Sequence, residues 1–303
     1  MILRATFQVA LLLLLPPLLL GVVNRVKALF AGRKGLPLLQ LYFDLAKLLR
    51  KGTVYSRTTT WVFRAGPVVG VAAVATAGLL VAVAGERAIL AFTGDFILFA
   101  YLLGLGRFFT ALAALDTGSS FEGMGAAREV TFASLAEPAL FLVLVVLARA
   151  TGTFSLSGML GPELSAAWTQ AAPALVLAAI ALFVVALAEN SRIPVDDPNT
   201  HLELTMIHEV MVLDHSGPDL ALILYGASIK FFLFGALFTR VVLGFRFESV
   251  LVAEAVFVAG LFGFAALVGV VESVMARLRL VRVPQLLVGA SVLSVFGLVL
   301  LLR

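Results

Sequence analysis

The chain has 303 residues, of which 61% are hydrophobic and 13% are charged, and its formal net charge is +4. Soluble domains contain about 45–50% apolar and about 25% charged residues, so this composition places the chain in a bilayer and predicts an all-α, polytopic membrane helix bundle. The chain has no cysteine, which excludes disulfides, zinc–cysteine sites and thiolate-held iron–sulfur clusters within it. Any redox centre therefore has to lie on a partner.

Eight apolar runs are long enough to cross a bilayer, since a transmembrane helix needs about 20 apolar residues. They are Ala5–Val23, Gly66–Ala84, Phe96–Leu115, Phe132–Ala150, Ala171–Ala188, Leu220–Val242, Val250–Val271 and Pro284–Leu302. The first run has no small-residue cleavage site, and basic residues follow it rather than precede it, so we interpret it as a retained helix and not as a signal peptide. Glu137 and Pro138 interrupt the start of the fourth run.

Eight spans place both termini on one side of the membrane. Residues 24–65, 116–131, 189–219 and 272–283 then share the other side, and they carry fourteen Lys and Arg against six in the remaining loops and termini. Because cytoplasmic loops are enriched in Lys and Arg, we expect these four segments to be cytoplasmic and both termini to lie outside. This clustering between apolar runs indicates membrane topology and argues against nucleic acid binding. The whole chain is predicted to be one integral membrane domain.

The first cytoplasmic loop contains an amphipathic pattern. Its apolar residues recur at helical spacing and are Leu38, Leu41, Tyr42, Leu45, Leu48 and Leu49. The polar residues Gln40, Asp44, Lys47, Arg50 and Lys51 fall elsewhere on the helical wheel. The pattern predicts a helix that lies in the plane of the interface. Such a helix is either a lipid-surface anchor or one wall of a chamber at the membrane surface.

Ionisable residues occur within or at the ends of several spans. They are Arg107, Asp116, Glu137, Glu189, Lys230, Glu254 and Glu272. One interpretation is structural ion pairing, for example between Arg107 and Glu137. The other is a proton path, because burial brings carboxylates and lysines closer to protonation equilibrium near neutral pH. Several such residues in different spans favour the path, so we predict a proton path through Glu137, Glu189, Glu254, Lys230, Arg107 and Asp116.

The loop after the fifth span is dense in polar residues. Pro194 and Pro198 stiffen its start, and a helical stretch is predicted over Leu202–Leu213 that is too apolar for open water. We therefore expect a soluble partner subunit to cover it. His201, His208 and His215 are seven residues apart, which is too far along a helix for one shared metal ion, so no metal site is predicted and we interpret them as polar or proton-responsive groups.

A further glycine-containing run, GMGAARE at residues 123–129, lacks the third glycine of a dinucleotide fingerprint, and no strand precedes it. We interpret it as a tight turn that leads into a helix.

Four cytoplasmic stretches carry a resemblance to a known family. They are GRKGLPLLQLYFDLAKLLRKGTVYS (32–56), LDTGSSFEGMGAARE (115–129), AENSRIPVDDPNTHLELTMIHEVMVLDHSG (188–217) and RLRLVRVPQLL (277–287). The chain resembles, over essentially its whole length, the membrane subunit of respiratory complex I that abuts the quinone chamber. It also resembles the relatives of that subunit in energy-converting NiFe hydrogenases, including formate hydrogenlyase.

Departures from the family pattern indicate the branch. Quinone-reducing members carry a pattern like RxPFDxPExExEL after the fifth span, and this chain agrees with it at Arg192, Pro194, Asp196, Pro198 and Glu203. Val195 stands in place of the aromatic residue, and Asn199 and His201 stand where acids would be. The resemblance therefore favours the hydrogenase branch. The alternatives are a quinone-binding subunit of an NADH- or ferredoxin:quinone oxidoreductase and a self-sufficient transporter, which is disfavoured because neither a broken-helix pair nor an inverted repeat is visible.

The resemblance implies a membrane anchor and proton-coupling subunit of a formate hydrogenlyase-like complex in a prokaryotic plasma membrane. The chain would hold no cofactor itself. Hydrogenase large and small subunits would hold the NiFe centre and iron–sulfur clusters, and antiporter-like subunits would move ions. The junction with the soluble arm is expected at Arg33, Gln40, Asp44, Lys47, Glu122, Arg128, Glu129, Arg192, Asp196, Glu203, His208, Glu209 and Asp214.

Overall fold

The computed structural model describes residues 2–82, 87–197, 206–244 and 249–302, and within these ranges every regular element is helical. The α-helices are α1 (Ile2–Leu14), α2 (Pro16–Phe30), α3 (Gln40–Leu49), α4 (Trp61–Leu80), α5 (Asp95–Asp116), α6 (Ser120–Thr151), α7 (Leu156–Met159), α8 (Glu163–Glu189), α9 (Gly217–Val242), α10 (Val250–Val274) and α11 (Val283–Leu300). Short 3₁₀ turns cover Glu209–Val212 and Leu280–Arg282. The predicted all-α fold is confirmed.

Among the described residues, seven helices are long and apolar enough to span a membrane, and the pair α1 and α2, which is bent by 45°, passes the same test only when its two helices are taken together. The predicted number of eight spans is reached if this bent pair counts as one, and the first span is then broken rather than continuous. The break lies at Pro16 and Pro17, which lack the N–H groups that would continue the helix. The Tyr225 hydroxyl of α9 donates a hydrogen bond to the Leu13 carbonyl at 2.8 Å, and the Tyr42 hydroxyl of α3 donates to Leu14, so both carbonyls at the break are satisfied.

Helix α6 corrects two expectations from the sequence. It continues without interruption through Pro138, and it already begins at Ser120, so the GMGAARE run is helical and is not a turn. The turn lies just before the helix, at Gly118, whose φ is +71°. Gly125 instead allows close packing, because a Cβ at this position would lie 3.0 Å from the Met211 Cγ and 3.1 Å from the Ile207 carbonyl oxygen.

The largest buried core lies between α6, α8 and α9. Helices α4, α5, α10 and α11 pack around these three and complete the bundle. The predicted amphipathic helix is confirmed as α3, which packs across α2 and α9 at one end of the bundle. None of its residues is fully buried. Helix α3 is therefore attached to the surface of the bundle and is not part of the core.

In segment 206–216, most of the apolar residues that we expected a partner to cover are already covered within the chain. Met206, Ile207, Val210 and Met211 are buried within this chain, largely against α5, α6 and α11, whereas Leu213 is exposed. In the described part of this segment the only helical structure is the 3₁₀ turn, and the rest of the predicted helical stretch, 202–205, lies outside the described residues. The four buried residues thus find their packing partners in the chain itself.

Candidate functional site

Five ionisable side chains meet between the helices and form a group that we name the central ion group. The Arg107 guanidinium of α5 contacts the Glu189 carboxylate at the end of α8, with Nη2 at 2.6 Å from Oε1, and also contacts Glu137 of α6. Its Nε lies 3.4 Å from the carboxylate of Glu129, which precedes Glu137 by about two turns on α6. The Lys230 ammonium of α9 lies 2.8 Å from Glu189 Oε2. Four helices therefore contribute to one group.

The members of this group differ strongly in exposure. The side chains of Glu189 and Arg107 are 3% and 8% exposed, whereas the Glu137 side chain is 47% exposed. Three carboxylates face two cations, so the central ion group carries a surplus negative charge when all five residues are ionised. Charges in a membrane interior are costly unless they are paired, and a surplus carboxylate in such a place is therefore well suited to bind and release a proton.

A cavity of about 110 Å³ lies next to the central ion group. Its apolar wall includes Leu20 of α2, Val71 of α4 and Leu222 of α9. The ionisable residues that line it are Arg107, Glu129, Glu189, Arg192, His208 and Lys230. The cavity thus places an apolar space directly against one side of the ion group, and it reaches the loop that follows α8.

The loop from Glu189 to Asp197 connects three separate ion groups. Glu189 belongs to the central ion group, and the Arg192 Nη1 lies 3.3 Å from Oε1 of Glu272 at the end of α10. Asp196 Oδ1 lies 2.8 Å from the Arg277 Nη2, and Asp196 Oδ2 accepts hydrogen bonds from the backbone N–H groups of Ile207 and His208. A single short loop therefore joins α8, α10 and the segment 206–216 through charged contacts.

The described histidines occupy two different environments. His208 lines the cavity, and desolvation lowers the pKa of its imidazole below the ordinary value of 6.5, although Glu129 acts in the opposite direction. His215 stacks on the Phe63 ring at 3.9 Å between centroids, and burial lowers its pKa as well. Both imidazoles are therefore predominantly neutral near pH 7. Within the described residues, no group of three His, Asp or Glu could hold a metal ion, and His201 lies outside them.

Two residues predicted for the proton path lie apart from the central ion group. The Asp116 carboxylate accepts hydrogen bonds from the Thr60 N–H at 2.6 Å, the Thr60 hydroxyl at 2.9 Å and the Phe63 N–H at 3.3 Å, and so it caps the start of α4. Glu254 lies near the start of α10, about 27 Å along that helix from Glu272 at a rise of about 1.5 Å per residue. The structure brings together the other four, Arg107, Glu137, Glu189 and Lys230.

Three predicted junction residues tie α6 to the segment 206–216. Glu122 is buried and accepts a hydrogen bond from the Asp214 N–H at 3.1 Å, and the Arg128 guanidinium donates to the Met206 carbonyl at 2.8 Å. Asp214 itself is exposed, and Glu209 opens the 3₁₀ turn. Glu122 and Arg128 therefore hold segment 206–216 against α6 within the chain. The sequence analysis had placed these two residues only at the interface with a partner.

The remaining junction residues lie in or near α3. The Gln40 amide donates a hydrogen bond to the Asp44 carboxylate at 2.9 Å, while Lys47 and Arg33 are exposed. Glu203 lies outside the described residues. These positions are consistent with a surface that a partner could contact.

Sequence reasoning did not include Lys27, Glu272 and Arg277 among the site residues. Lys27 lies on α2, which continues to Phe30 and so extends beyond the predicted span end at Val23. The signal for Glu272 was present, since it is an acid at the end of a strongly apolar run. Its pairing with Lys27, at 2.8 Å, depends on tertiary structure and has no trace in the sequence pattern.

Comparisons with known proteins agree with this architecture. Residues 3–302 match the NADH dehydrogenase family. Component C of hydrogenase-4 from Escherichia coli K12 is 33% identical over 245 residues, covering 81% of this chain and 76% of that protein. Subunit 4 of formate hydrogenlyase from the same organism is 31% identical over 291 residues, covering 94% of both chains.

A solved structure described as the membrane-bound sulfane sulfur reductase, an archaeal respiratory membrane complex, contains a chain of the same fold. The TM-score is 0.82 at 21% sequence identity, and the match covers 99% of each chain. At this identity the similarity supports the fold alone.

The helix bundle with its buried ion groups defines a multi-pass integral membrane subunit of a larger assembly. More particularly, the chain belongs to the NADH dehydrogenase subunit 1 family, as the resemblance of its four polar stretches indicated. Its relatives include membrane hydrogenase subunits.

Proposed function

We propose that this chain is the membrane anchor and proton-coupling subunit of an energy-converting NiFe hydrogenase of the formate hydrogenlyase type. The observation that carries the proposal is the central ion group, in which a surplus carboxylate lies against a cavity inside the bundle. The two relatives from Escherichia coli, component C of hydrogenase-4 and subunit 4 of formate hydrogenlyase, support the hydrogenase branch. The chain provides the connection between a redox arm and ion movement, and the redox chemistry takes place on partners.

The coupling step follows from the arrangement of charges. A change of charge or conformation in the soluble arm reaches segment 206–216 and the loop that carries Glu189. Any displacement of the Glu189 carboxylate changes its distance from Arg107 and Lys230, and a loss of these contacts favours protonation of the surplus carboxylate. Glu137, the most exposed carboxylate of the group, exchanges the proton with the neighbouring subunit.

The expected partners are a hydrogenase large subunit, an iron–sulfur small subunit and antiporter-like membrane subunits. The NiFe centre and the iron–sulfur clusters lie on the first two, because a chain without cysteine offers no thiolate ligands. The complex lies in the plasma membrane of a prokaryote with both termini of this chain on the outer side, which agrees with the distribution of Lys and Arg.

The test is affinity purification of the complex through a tag on this chain under mild detergent. Nickel and iron content and hydrogen evolution with an artificial electron donor are measured first, and ion uptake is measured after reconstitution into vesicles. We expect Glu137→Gln to retain hydrogen evolution and to lose most of the ion uptake. A chain that purifies alone, or a complex without nickel and hydrogenase activity, contradicts the proposal.

A second candidate, a quinone-binding subunit, is favoured by one observation. The cavity combines an apolar wall with cationic and imidazole groups at one end, and these are suitable for a ligand with an apolar body and carbonyl oxygens. Organic extraction of the purified complex distinguishes the two functions. Stoichiometric quinone, together with inhibition by quinone-site blockers, supports the second candidate, whereas uninhibited hydrogen evolution without bound quinone supports the first.

A further inference from the structure

A second buried ion group lies at the C-terminal end of α10. The Glu272 carboxylate side chain is 0% exposed and is held between two cations from separate elements. Lys27 of α2 lies 2.8 Å from Oε2, and Arg192 of the loop after α8 lies 3.3 Å from Oε1. Removing one partner of such a buried group leaves an uncompensated charge, so Glu272 determines where both cations remain.

The two cations differ in where they can move. The Lys27 side chain is 23% exposed and can reach solvent if its carboxylate is removed. The Arg192 side chain is 13% exposed, lies 5.3 Å from the Phe231 ring and lines the same cavity as Glu129 and Glu189. For Arg192, the carboxylates that share the cavity are therefore the alternative partners.

A movement of Arg192 to these carboxylates would change the net charge of the central ion group. Three carboxylates face Arg107 and Lys230, and a third cation would balance the group completely. The carboxylates would then have less tendency to take up a proton, because an opposite charge at about 4 Å favours the ionised form. The surplus negative charge on which proton uptake depends exists only while Arg192 stays on Glu272.

We infer that Glu272 is a positioning residue, which holds Arg192 away from the central ion group and thereby preserves the surplus negative charge of that group. The functional part of this inference rests on the proposed coupling role. The groups that face Glu272 are Lys27 and Arg192, and those that face Glu189 are Arg107 and Lys230. The inference assigns a role to a residue on α10, a helix that packs on α2 and α9 and contributes no member of the central ion group.

The first test is structural and uses the intact complex carrying Glu272→Gln. In a cryo-EM map of this variant, the Arg192 guanidinium is expected within hydrogen-bond distance of Glu189 or Glu129. The inference is overturned if Arg192 stays beside residue 272 or turns to solvent. This readout does not depend on hydrogenase activity or ion transport, so it decides the positioning role even if the wild-type complex moves no ions and the proposed function fails.

The second test measures ion uptake per hydrogen evolved in vesicles, with hydrogen evolution from an artificial donor as the reference. Glu272→Gln is expected to lower the ratio about tenfold, since one added unit charge close to a carboxylate shifts its protonation by at least that factor. Glu272→Asp retains the charge and should recover most of the ratio. Lys27→Gln is the matched control, because it removes the other cation of the same group and leaves Arg192 paired.

A double variant separates charge from simple anchoring and covers the case in which the single variant does not assemble. Glu272→Gln with Arg192→Gln removes the buried carboxylate and the cation that it positions. Only Lys27 then loses its partner, and its side chain can reach solvent. A positioning role predicts that the double variant has a higher ratio than Glu272→Gln alone. An assembled double variant whose ratio is as low as, or lower than, that of the single variant means that Glu272 only fastens the loop to α10, and the inference fails.

Discussion

Replacing Glu189 and replacing Glu137 by Gln should have very different costs, although both residues contact the same guanidinium. Glu189 is 3% exposed and pairs with both Arg107 and Lys230, whereas Glu137 is 47% exposed and pairs with Arg107 alone. Both residues belong to the proton path predicted from the sequence, and the sequence pattern does not distinguish them. Their burial indicates that only Glu137→Gln leaves the bundle undisturbed.

The magnitude follows from what each substitution leaves behind. Without the Glu189 carboxylate, the Lys230 ammonium loses its carboxylate partner within the central ion group while it remains 16% exposed. Breaking a buried pair by removal of one partner costs about 3–5 kcal/mol. Loss of a half-exposed contact costs about 0–1 kcal/mol, and Arg107 retains Glu129 and Glu189 in the Glu137→Gln variant.

The assay is the apparent Tm of the detergent-purified complex, measured for wild type and both variants at the same protein and lipid concentration. We expect a large decrease for Glu189→Gln and little change for Glu137→Gln. The variant that combines Glu189→Gln with Lys230→Met should recover stability relative to Glu189→Gln, because it removes the unpaired cation as well. Equal Tm values for the two single variants would refute the assignment of Glu189 as the buried centre of the group.

Three further substitutions test other parts of the structure. Gly125→Val should destabilise the contact between α6 and segment 206–216 by about 1–3 kcal/mol through overpacking against Val210. Limited proteolysis of that segment should then become faster, and an unchanged rate of proteolysis would contradict the close packing. Asp116→Asn should lower Tm, because it weakens the hydrogen bonds by which residue 116 holds Thr60 at the start of α4. It should leave the ratio of ion uptake to hydrogen evolution unchanged, and a changed ratio would support the predicted role of Asp116 in the proton path. The pKa of His208 is lowered in the folded protein, so the unfolded state binds more protons below about pH 7, and stability falls with acidification. His208→Gln should therefore reduce the loss of Tm between about pH 7.5 and about pH 5.5. A loss of Tm identical to that of the wild type would contradict the lowered pKa of His208.

Hydropathy predicted the spans well because each apolar run has to be about as long as the bilayer is thick. It predicted the helix ends less well, since a helix does not stop where the hydrocarbon stops. Helix α2 carries Asn24, Arg25 and Lys27 beyond the predicted end of the first span, and this extension brings Lys27 to Glu272. Helix α6 likewise extends from Ser120, well before the predicted start at Phe132.

The composition of the ion groups was only partly predictable. Arg107, Glu137 and Lys230 are conspicuous because charges are rare inside apolar runs, and the sequence identified all three. That Glu189 bridges both cations depends on the crossing of α5, α8 and α9, which no local pattern encodes.

The apolar residues of segment 206–213 show a related limit. Their pattern correctly required a covering surface, but hydrophobicity is not directional and does not indicate which chain provides that surface. Gly125 was the overlooked signal, since a glycine within a helix often marks a place where another backbone approaches closely.

The three ion groups on one loop are difficult to explain by stability alone. Replacing a buried ion pair by apolar residues of similar volume is often neutral or stabilising, so selection for stability would not require Glu189, Arg192 and Asp196 each to have a charged partner on a different element. Charged contacts respond to charge, whereas apolar contacts do not. Val195 also packs in an apolar cluster, so charged contacts are not all that holds this loop. They nevertheless allow a change in charge at segment 206–216 to be transmitted to α8 and α10 together, and this property supports the proposed coupling role independently of the relatives' names.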